Sequence, residues 1–324
     1  MQTIMTLDRR DFLRTLAIAG VAVAADGLIS RDAGAAASSA VVADGPGSFD
    51  FVFFTDTHIE PELNAARGCD MCFRKVAELK PEFAIIGGDH VYDAAGVNGV
   101  RAKQVFDLYR HTEHQLEMPL HHAIGNHDIF GVLTKSGVAP NDPAYGKKMF
   151  QDRVGARTYY SFDHEGYHFV VLDSIQPTED RLWEARVDEA QLRWLADDLA
   201  KLAAHTPVIA TIHCPLVTAF ATYAQVVTAD RKYNTLTVAN APEVLEVFEK
   251  ANVIAVLQGH THINEAVTYK GTQFITSGAV CGNWWHGPRM GTPEGFTVVS
   301  LRDGKISTRY ETYGFHSVDI REKF

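Results

Sequence analysis

Short strand-like runs alternate along the chain with segments that have a helical period. Residues 49–55 and 83–86 are apolar runs of a length typical of buried strands, and residues 120–124 form a third such run. Residues 62–80 lie between the first two, and residues 100–116 precede the third with apolar side chains on one face of a helix. The pattern therefore predicts strand, helix, strand, helix and strand in that order.

The alternation continues through the middle of the chain. Residues 188–204 repeat leucine at a helical period, and residues 241–250 predict another helix with Pro242 in its first turn. Strands are predicted at residues 159–162, 167–172, 207–212 and 253–257. The first two of these flank a Gly-containing turn and predict a β-hairpin.

Beyond residue 264 the pattern changes to β-structure alone. Residues 265–269 and 273–276 predict one hairpin, and residues 296–301 and 306–313 predict another. Strands that alternate with helices and are followed by hairpins predict an α/β fold, a two-sheet β-sandwich flanked by helices with C-terminal β-hairpins. No composition break follows residue 48, so residues 49–324 are predicted to form one domain that includes the C-terminal hairpins.

Five short motifs of metal-binding residues each follow one of the strand-like runs. They are Asp56-Thr57-His58, Gly88-Asp89, Gly125-Asn126-His127-Asp128, Ile212-His213-Cys214 and Gly259-His260-Thr261-His262. Two aspartates, one asparagine and four histidines are candidate ligands, with His127 left over. Mixed oxygen and nitrogen ligands suit Zn, Mn or Fe, and this inventory suits two adjacent metals that share a carboxylate. Such pairs of metals activate a water molecule that attacks phosphate esters.

The spacing within two of the motifs adds a geometric expectation. Asp56 and His58 are two residues apart, as are His260 and His262. In an extended segment, such pairs point to the same side. Each motif also follows a predicted strand, and strand ends converge on one edge in such folds. The candidate ligands are therefore expected to meet.

The motifs and their order resemble the calcineurin-like metallophosphoesterase superfamily, whose pattern is DxH, GD, GNH[DE], a single His and GHxH. The resemblance implies the same sandwich architecture and a catalytic domain over residues 49–324. It also implies a ligand set for each metal, with Asp89 shared as the bridge. Those sets are Asp56, His58, Asp89 and His262 for the first metal, and Asp89, Asn126, His213 and His260 for the second.

The resemblance further implies hydrolysis of phosphoric esters by a hydroxide that bridges the two metals. His127 matches the family's non-ligand histidine, which protonates the leaving oxygen or hydrogen-bonds the phosphoryl group. Asp128 is expected either to orient His127 or to be a solvent-facing turn residue. Monoester and diester substrates share this ligand set, and the sequence slightly favours a small-molecule, lipid or nucleotide-like diester.

At position 92 this chain differs from many members of the superfamily. It has Tyr92, whereas they carry an acidic residue. Gly88-Asp89-His90-Val91-Tyr92 resembles the GDxxY of purple acid phosphatases, in which the tyrosine binds ferric iron. Those enzymes usually carry DxG where this chain has Asp56-Thr57-His58. Tyr92 is thus open to three interpretations, as a ligand, as a contact to a ligand, or as packing. A purple-acid-phosphatase-like phosphomonoesterase remains an alternative function.

A glycine-rich stretch at residues 278–288 contains the adjacent Trp284 and Trp285. It predicts either an exposed loop at the rim of the site, able to stack on a base, sugar or lipid headgroup, or aromatic packing that closes a hairpin. Histidines outside the motifs, such as His90 and His122, are expected to be structural.

The N-terminus predicts a targeting segment. Arg9 and Arg10 precede an apolar run at residues 15–25, and small residues follow at positions 35–37. This resembles a twin-arginine export signal over residues 1–37, with residues 38–48 as a linker. The apolar run is too short for a membrane span. The resemblance implies the twin-arginine translocation machinery as a partner and a periplasmic or extracellular location.

Composition narrows the remaining alternatives. The 324 residues are 46% hydrophobic and carry a formal net charge of −10, which argues against nucleic-acid binding. Four cysteines permit disulfides in an oxidising compartment but equally suit small buried side chains. A non-catalytic metal-binding or polymer-binding module on the same fold is the second class of function. Such a module is expected to have lost ligands, and here the motif set is complete.

Overall fold

Two β-sheets form the centre of the protein, and helices cover their outer faces. The computed structural model describes residues 45–224 and 232–321, so the predicted export signal and residues 38–44 of the predicted linker lie outside the described residues. Asp44–Phe324 forms one compact unit.

The strands reproduce nearly every predicted run. Their bounds are β1 Phe49–Phe54, β2 Ala84–Ile86, β3 Leu120–His122, β4 Tyr160–His164, β5 Tyr167–Leu172, β6 Ile175–Pro177, β7 Trp183–Ala185, β8 Val208–Ile212, β9 Val253–Gln258, β10 Glu265–Tyr269, β11 Thr272–Thr276, β12 Gly295–Arg302 and β13 Lys305–Thr312. The helices are α1 Ala65–Glu78, α2 Gly99–Glu113, α3 Lys148–Arg153, α4 Glu189–Leu199, α5 Phe220–Tyr223 and α6 Ala241–Phe248, and Thr134–Ser136 forms a 3₁₀ turn.

Each sheet contains a group of neighbouring parallel strands. The first sheet has the order β13-β12-β1-β2-β3, and the second has the order β10-β11-β9-β8-β5-β4. β1, β2 and β3 run parallel, as do β5, β8, β9 and β11. The predicted α/β two-sheet sandwich is confirmed. The C-terminal hairpins complete both sheets, since β12 pairs with β1 and β11 pairs with β9.

The two sheets bury an aromatic core between them. Alternate residues of β1 point to opposite faces, so Phe51 and Phe53 face the second sheet whereas Val52 and Phe54 face the helices. Phe51 stacks on Phe83 with ring centroids 4.8 Å apart. This core fixes the register of the central strands, because a slip of one residue would turn these rings toward the other face.

A small third sheet formed by β6 and β7 was not predicted from the sequence. Each of its strands has three residues, and β6 ends in Pro177, which gives too short a pattern for alternation to be detected. All four cysteines are buried free thiols, so packing rather than a disulfide explains them. Among the described residues, no helix has the length and apolar character needed to cross a membrane.

Candidate metal centre

The five motifs meet at one edge of the sandwich. Asp56 and His58 follow β1, Asp89 follows β2, and Asn126 follows β3 in the first sheet. His213 follows β8, and His260 and His262 follow β9 in the second sheet. Because all five strands are parallel within their sheets, their carboxyl ends bring these side chains together.

One half of the centre is formed by Asp56, His58, Asp89 and His262. Nε2 of His58 lies 3.2 Å from Nε2 of His262 and 3.5 Å from Oδ2 of Asp89. Oδ1 of Asp56 lies 3.2 Å from Nε2 of His262 and 3.7 Å from Nε2 of His58. All four side chains are almost completely buried. Four potential ligand atoms therefore face one point.

The other half is formed around His213. Its Nε2 lies 3.2 Å from Oδ2 of Asp89 and 3.2 Å from Oδ1 of Asn126, and its ring centroid is 5.1 Å from that of His260. Oδ2 of Asp89 thus faces His58 on one side and His213 on the other. The structure therefore brings all seven predicted ligands together at one edge, with Asp89 between His58 and His213.

Backbone carbonyls orient three of the four histidines. Nδ1–H of His213 donates to the Gly87 carbonyl over 2.8 Å, and Nδ1–H of His262 donates to the Gly282 carbonyl over 2.6 Å. His260 uses the other nitrogen, and its Nε2–H donates to the Thr235 carbonyl over 2.8 Å. In a neutral imidazole the nitrogen that does not donate keeps its lone pair. Each of the three rings thus keeps one nitrogen for a metal.

The donor set fits cations. Oδ1 of Asp56 is buried and has no hydrogen-bond partner among the described residues, although it faces two imidazole nitrogens. Burial lowers the pKa of His58 and of His260 to about 4, which keeps both rings neutral, as metal ligation requires. A buried carboxylate oxygen and neutral imidazoles that face one another suit Zn, Mn or Fe.

Charge in the centre is strongly coupled. Burial opposes ionisation of Asp89, but the neighbouring His213 and His127 hold the pKa of Asp89 far below its usual range. Burial likewise opposes charge on His213, yet the Asp89 carboxylate raises the pKa of His213 to about 9, so a cation that binds Nε2 of His213 would displace a proton from it. Both carboxylates of the centre therefore stay ionised, and their negative field attracts positive charge.

Backbone strain is concentrated at the predicted ligands. Five of them have a positive φ, namely Asp56 at 55°, His58 at 38°, Asp89 at 52°, His260 at 72° and His262 at 62°. Each such residue costs on the order of 1 kcal/mol or more. The expectation that Asp56 and His58 share a side through an extended segment is wrong, because the left-handed turns, rather than strand alternation, direct them inward.

His127 lies beside the metal-binding residues. Its ring packs edge-on against His58 with centroids 4.6 Å apart, and its backbone N–H donates to Oδ1 of Asp89 over 2.7 Å. Nδ1 of His127 accepts the backbone N–H of Asp93 at 3.3 Å. A neutral His127 therefore carries its proton on Nε2.

Asp128 does not have either expected environment. Its side chain is fully buried, and Oδ2 accepts the Gly125 N–H and pairs with Nδ1 of His90, each at 2.9 Å. Oδ1 accepts the His90 N–H, also at 2.9 Å. The prediction that Asp128 orients His127 or faces solvent is wrong, because its carboxylate ties the loop after β3 to the loop after β2.

His90 and His122 extend that connection, in the structural role expected for histidines outside the motifs. Nε2 of His90 lies 3.1 Å from Nδ1 of His122, and Nε2 of His122 lies 3.6 Å from Oε1 of Glu113 on α2. The only signal in the sequence was the position of His90 directly after Asp89. These side chains hold the two ligand-bearing loops against α2.

Tyr92 lies at the rim of the centre. Its ring centroid is 6.5 Å from that of His58 and 6.3 Å from that of His127, and the residue is 37% exposed. Burial of part of the side chain and the nearby Glu60 raise the pKa of Tyr92. Both effects favour the protonated phenol over the phenolate that a ferric ligand requires.

Two tryptophans flank the histidines, and a third anchors one of them. The Trp284 ring packs on His262 with centroids 4.6 Å apart, and Trp183 on β7 packs edge-on to His260 at 6.0 Å. Trp285 is fully buried, and its Nε1–H donates to the His58 carbonyl over 3.0 Å. Trp285 thus fits the packing interpretation, whereas Trp284 is partly buried beside the histidines and does not lie on an exposed loop. Trp183 was missed with β7.

α1 makes room for Trp285 with a glycine. A Cβ added to Gly68 would lie 2.1 Å from Cζ3 of Trp285, which no real contact permits. Gly68 thus lets the Trp285 ring pack against the helix, where its indole holds the loop that carries His58.

Comparisons with known proteins agree with this geometry. A serine/threonine-protein phosphatase CPPED1 from Bos taurus is 29% identical over 255 residues, which are 78% of this chain and 74% of that protein. A dimetal phosphatase from Danio rerio shares the fold with a TM-score of 0.60 and 16% identity, over 82% of this chain and 96% of that one. Purple acid phosphatase PPD1 from yellow lupin matches with a TM-score of 0.54 and 14% identity, over 83% of this chain and 52% of that one.

The family model for calcineurin-like phosphoesterases matches residues 49–264, which include every strand-end motif. The resemblance and the enzymatic class predicted from the motifs are both confirmed by this match and by the phosphatase relatives. The chain therefore belongs to the calcineurin-like phosphoesterase family and is a phosphoric ester hydrolase.

Proposed function

We propose that this chain hydrolyses phosphomonoesters at a two-metal centre with Asp89 as the bridge. The observation that carries the proposal is the position of Asp89 Oδ2, 3.5 Å from Nε2 of His58 and 3.2 Å from Nε2 of His213. One carboxylate oxygen lies between two sets of ligand atoms. Asp56, His58 and His262 would complete one metal site, and Asn126, His213 and His260 would complete the other.

The bound cations would activate water and neutralise the phosphoryl oxygens. The residues of this chain supply the rest. The Nε2–H of His127 donates a hydrogen bond to a phosphoryl or leaving oxygen, because the Asp93 N–H occupies its Nδ1. Asp89 fixes the loop of His127 by accepting its backbone N–H. Trp284 and Trp183 limit access of bulk water to the histidines on either side.

The relatives support a monoester rather than the diester that the sequence slightly favoured. The curated relatives are named serine/threonine-protein phosphatases, and two structural neighbours are named phosphatases. A phosphatase acts on a monoester, so we assign that substrate class to this chain.

Metal content and turnover together test the proposal. The purified protein should hold about two transition metals per chain. It should cleave p-nitrophenyl phosphate faster than bis(p-nitrophenyl) phosphate. Asn126→Ala and His260→Ala should lose metal and most turnover, whereas His316→Ala, at an exposed histidine, should lose neither. A protein that binds no Mn, Zn or Fe and cleaves no ester would refute the assignment, and faster diester cleavage would refute the substrate class.

We also propose export through the twin-arginine route. The support is the motif at Arg9 and Arg10 with the apolar run behind it. Arg9→Lys combined with Arg10→Lys should retain the protein in the cytoplasm with its hydrolytic activity intact. Normal export of that double variant would contradict the proposal.

A further inference from the structure

Arg289 lies over the ring of Trp284, one of the two tryptophans that flank the histidines of the metal centre. The guanidinium carbon of Arg289 lies 5.5 Å from the centroid of the Trp284 ring. Trp284 in turn packs on His262, and its centroid is 6.1 Å from that of His58. Arg289 is therefore separated by one indole ring from side chains that would hold a metal.

This guanidinium has no acidic partner among the described residues. Within residues 45–224 and 232–321, the Arg289 side chain forms neither a hydrogen bond nor an ion pair, and its Nε is buried without a partner. Burial lowers the pKa of Arg289, and no neighbouring charge offsets that effect. An arginine has five N–H donors, and leaving them unmatched while half-buried is unfavourable.

The backbone holds Arg289 in this position. Its N–H donates to the Thr292 carbonyl and its carbonyl accepts the Thr292 N–H, both over 2.8 Å. The preceding Trp284 and Trp285 both have a positive φ, and the buried Trp285 anchors the loop. The arginine is thus mounted on a fixed loop beside the centre, which is how a ligand-binding group is pre-organised.

We propose that Arg289, supported by Trp284, binds a second anionic group of the substrate, a carboxylate or phosphate close to the scissile phosphomonoester. A guanidinium pairs with either oxyanion through two parallel hydrogen bonds. The unmatched donors of Arg289 would bind one end of such a substrate, and the adjacent metal-binding residues would bind the other end. This inference rests on the proposed function and adds to it a preference for substrates that carry two negative groups.

A matched set of phenyl phosphates tests the proposal. The para substituent would be carboxylate, phosphonate or the uncharged carboxamide, so that the first two distinguish the source of the anion. For Arg289→Met, KM for an anionic substrate should rise roughly tenfold more than KM for the carboxamide, with a smaller change in kcat. Comparing variant with wild type on each substrate cancels the intrinsic reactivity of the esters.

Two further variants complete the design. Arg289→Lys keeps the charge without the planar fork and should retain part of the preference. Arg74→Met removes an exposed arginine of α1 that pairs with Asp70, and it should leave the preference unchanged. Thermal unfolding and metal content confirm that the Arg289 variants are folded and loaded.

The outcomes separate this inference from the proposed function. If Arg289→Met and Arg289→Lys cleave all three esters with the wild-type ratio of KM values, the anion subsite is refuted and the hydrolase proposal stands. If the metal-loaded wild-type protein cleaves none of the esters, the proposed function fails and the subsite fails with it.

Discussion

The aromatic interior between the sheets differs from the metal-binding edge in what its residues must tolerate. In the interior, Phe51 of β1 stacks on Phe83, which directly precedes β2, and burial of apolar surface stabilises the fold. At the edge, Asp56 and Asp89 are buried as charges beside four histidines, with a backbone in the left-handed region. The same strand β1 passes from one environment to the other within a few residues.

The difference shows that, along these strands, residues in the interior stabilise the fold and residues at the carboxyl ends provide the chemistry. Several strained residues at the edge together oppose folding by several kcal/mol, since each costs on the order of 1 kcal/mol or more. The large rings of the interior supply the offsetting free energy, because each buried phenylalanine contributes roughly 1.5–3 kcal/mol. Substitutions in the interior should therefore change stability, and substitutions at the edge should change activity.

The sharpest test at the edge is Asp89→Asn. Asparagine tolerates a positive φ and can still accept the His127 N–H, so the fold should persist, but the bridging charge is lost. Turnover should fall at least about a thousandfold and metal content should drop. Asp303→Asn is the matched control, because Asp303 also has a positive φ but lies in the β12–β13 turn. Wild-type turnover by Asp89→Asn would contradict the expectation that substitutions at the metal-binding edge change activity.

The corresponding test of the interior is Phe51→Ala. The cavity left between the sheets should lower the free energy of unfolding by about 3–5 kcal/mol, measured by denaturant titration. Metal content and kcat of the folded fraction should stay near wild type. Tyr269→Ala, at a half-exposed ring on β10, should change the free energy of unfolding much less. A Phe51→Ala protein that is fully stable but inactive would contradict the expectation that substitutions in the interior change stability rather than activity.

His127→Ala sharpens the comparison within the edge itself. Because His127 is not among the predicted ligands, metal content should persist, while turnover falls about a hundredfold through loss of the Nε2–H donor. The loss should be similar for good and poor leaving groups, since the Asp93 N–H occupies Nδ1 and leaves Nε2–H as a hydrogen-bond donor. His127→Gln, which keeps an N–H donor, should recover part of the rate. A loss confined to poor leaving groups would instead identify proton transfer.

The smallest effect is expected for Tyr92→Phe. The phenol lies at the rim, and its raised pKa keeps it protonated, so the iron-loaded protein should lack a strong visible charge-transfer band. Turnover should fall by no more than a few fold, with both metals retained. A strong band that disappears in Tyr92→Phe would move the enzyme toward the purple acid phosphatases.

The central strands and the candidate ligands were predictable for a common reason. Apolar runs identify buried strands, and polar residues at their carboxyl ends identify the edge where ligands gather. Asp56, Asp89 and His213 were found this way, and their ligand atoms lie within 4.8 Å of one another. The C-terminal hairpins were equally visible in the alternation of residues 296–301 and 306–313.

Other parts of the site depend on contacts that no local pattern encodes. Asp128 bonds to His90, which lies 38 residues earlier in the chain, so the sequence could not distinguish this partner from the adjacent His127. The positive φ angles occur at non-glycine residues, which local preference disfavours and only the surrounding packing imposes. Trp183 belongs to a strand too short to have a recognisable period.

The glycine of α1 has a consequence for protein engineering. Replacing a helical glycine with alanine usually stabilises a helix by about 1 kcal/mol, so Gly68 is a position that a thermostability programme would select. Here the added methyl group would meet Trp285, whose indole supports the His58 loop. A change chosen for heat resistance would thus be transmitted through one ring to the metal-binding edge, and Gly68 is best excluded from such libraries.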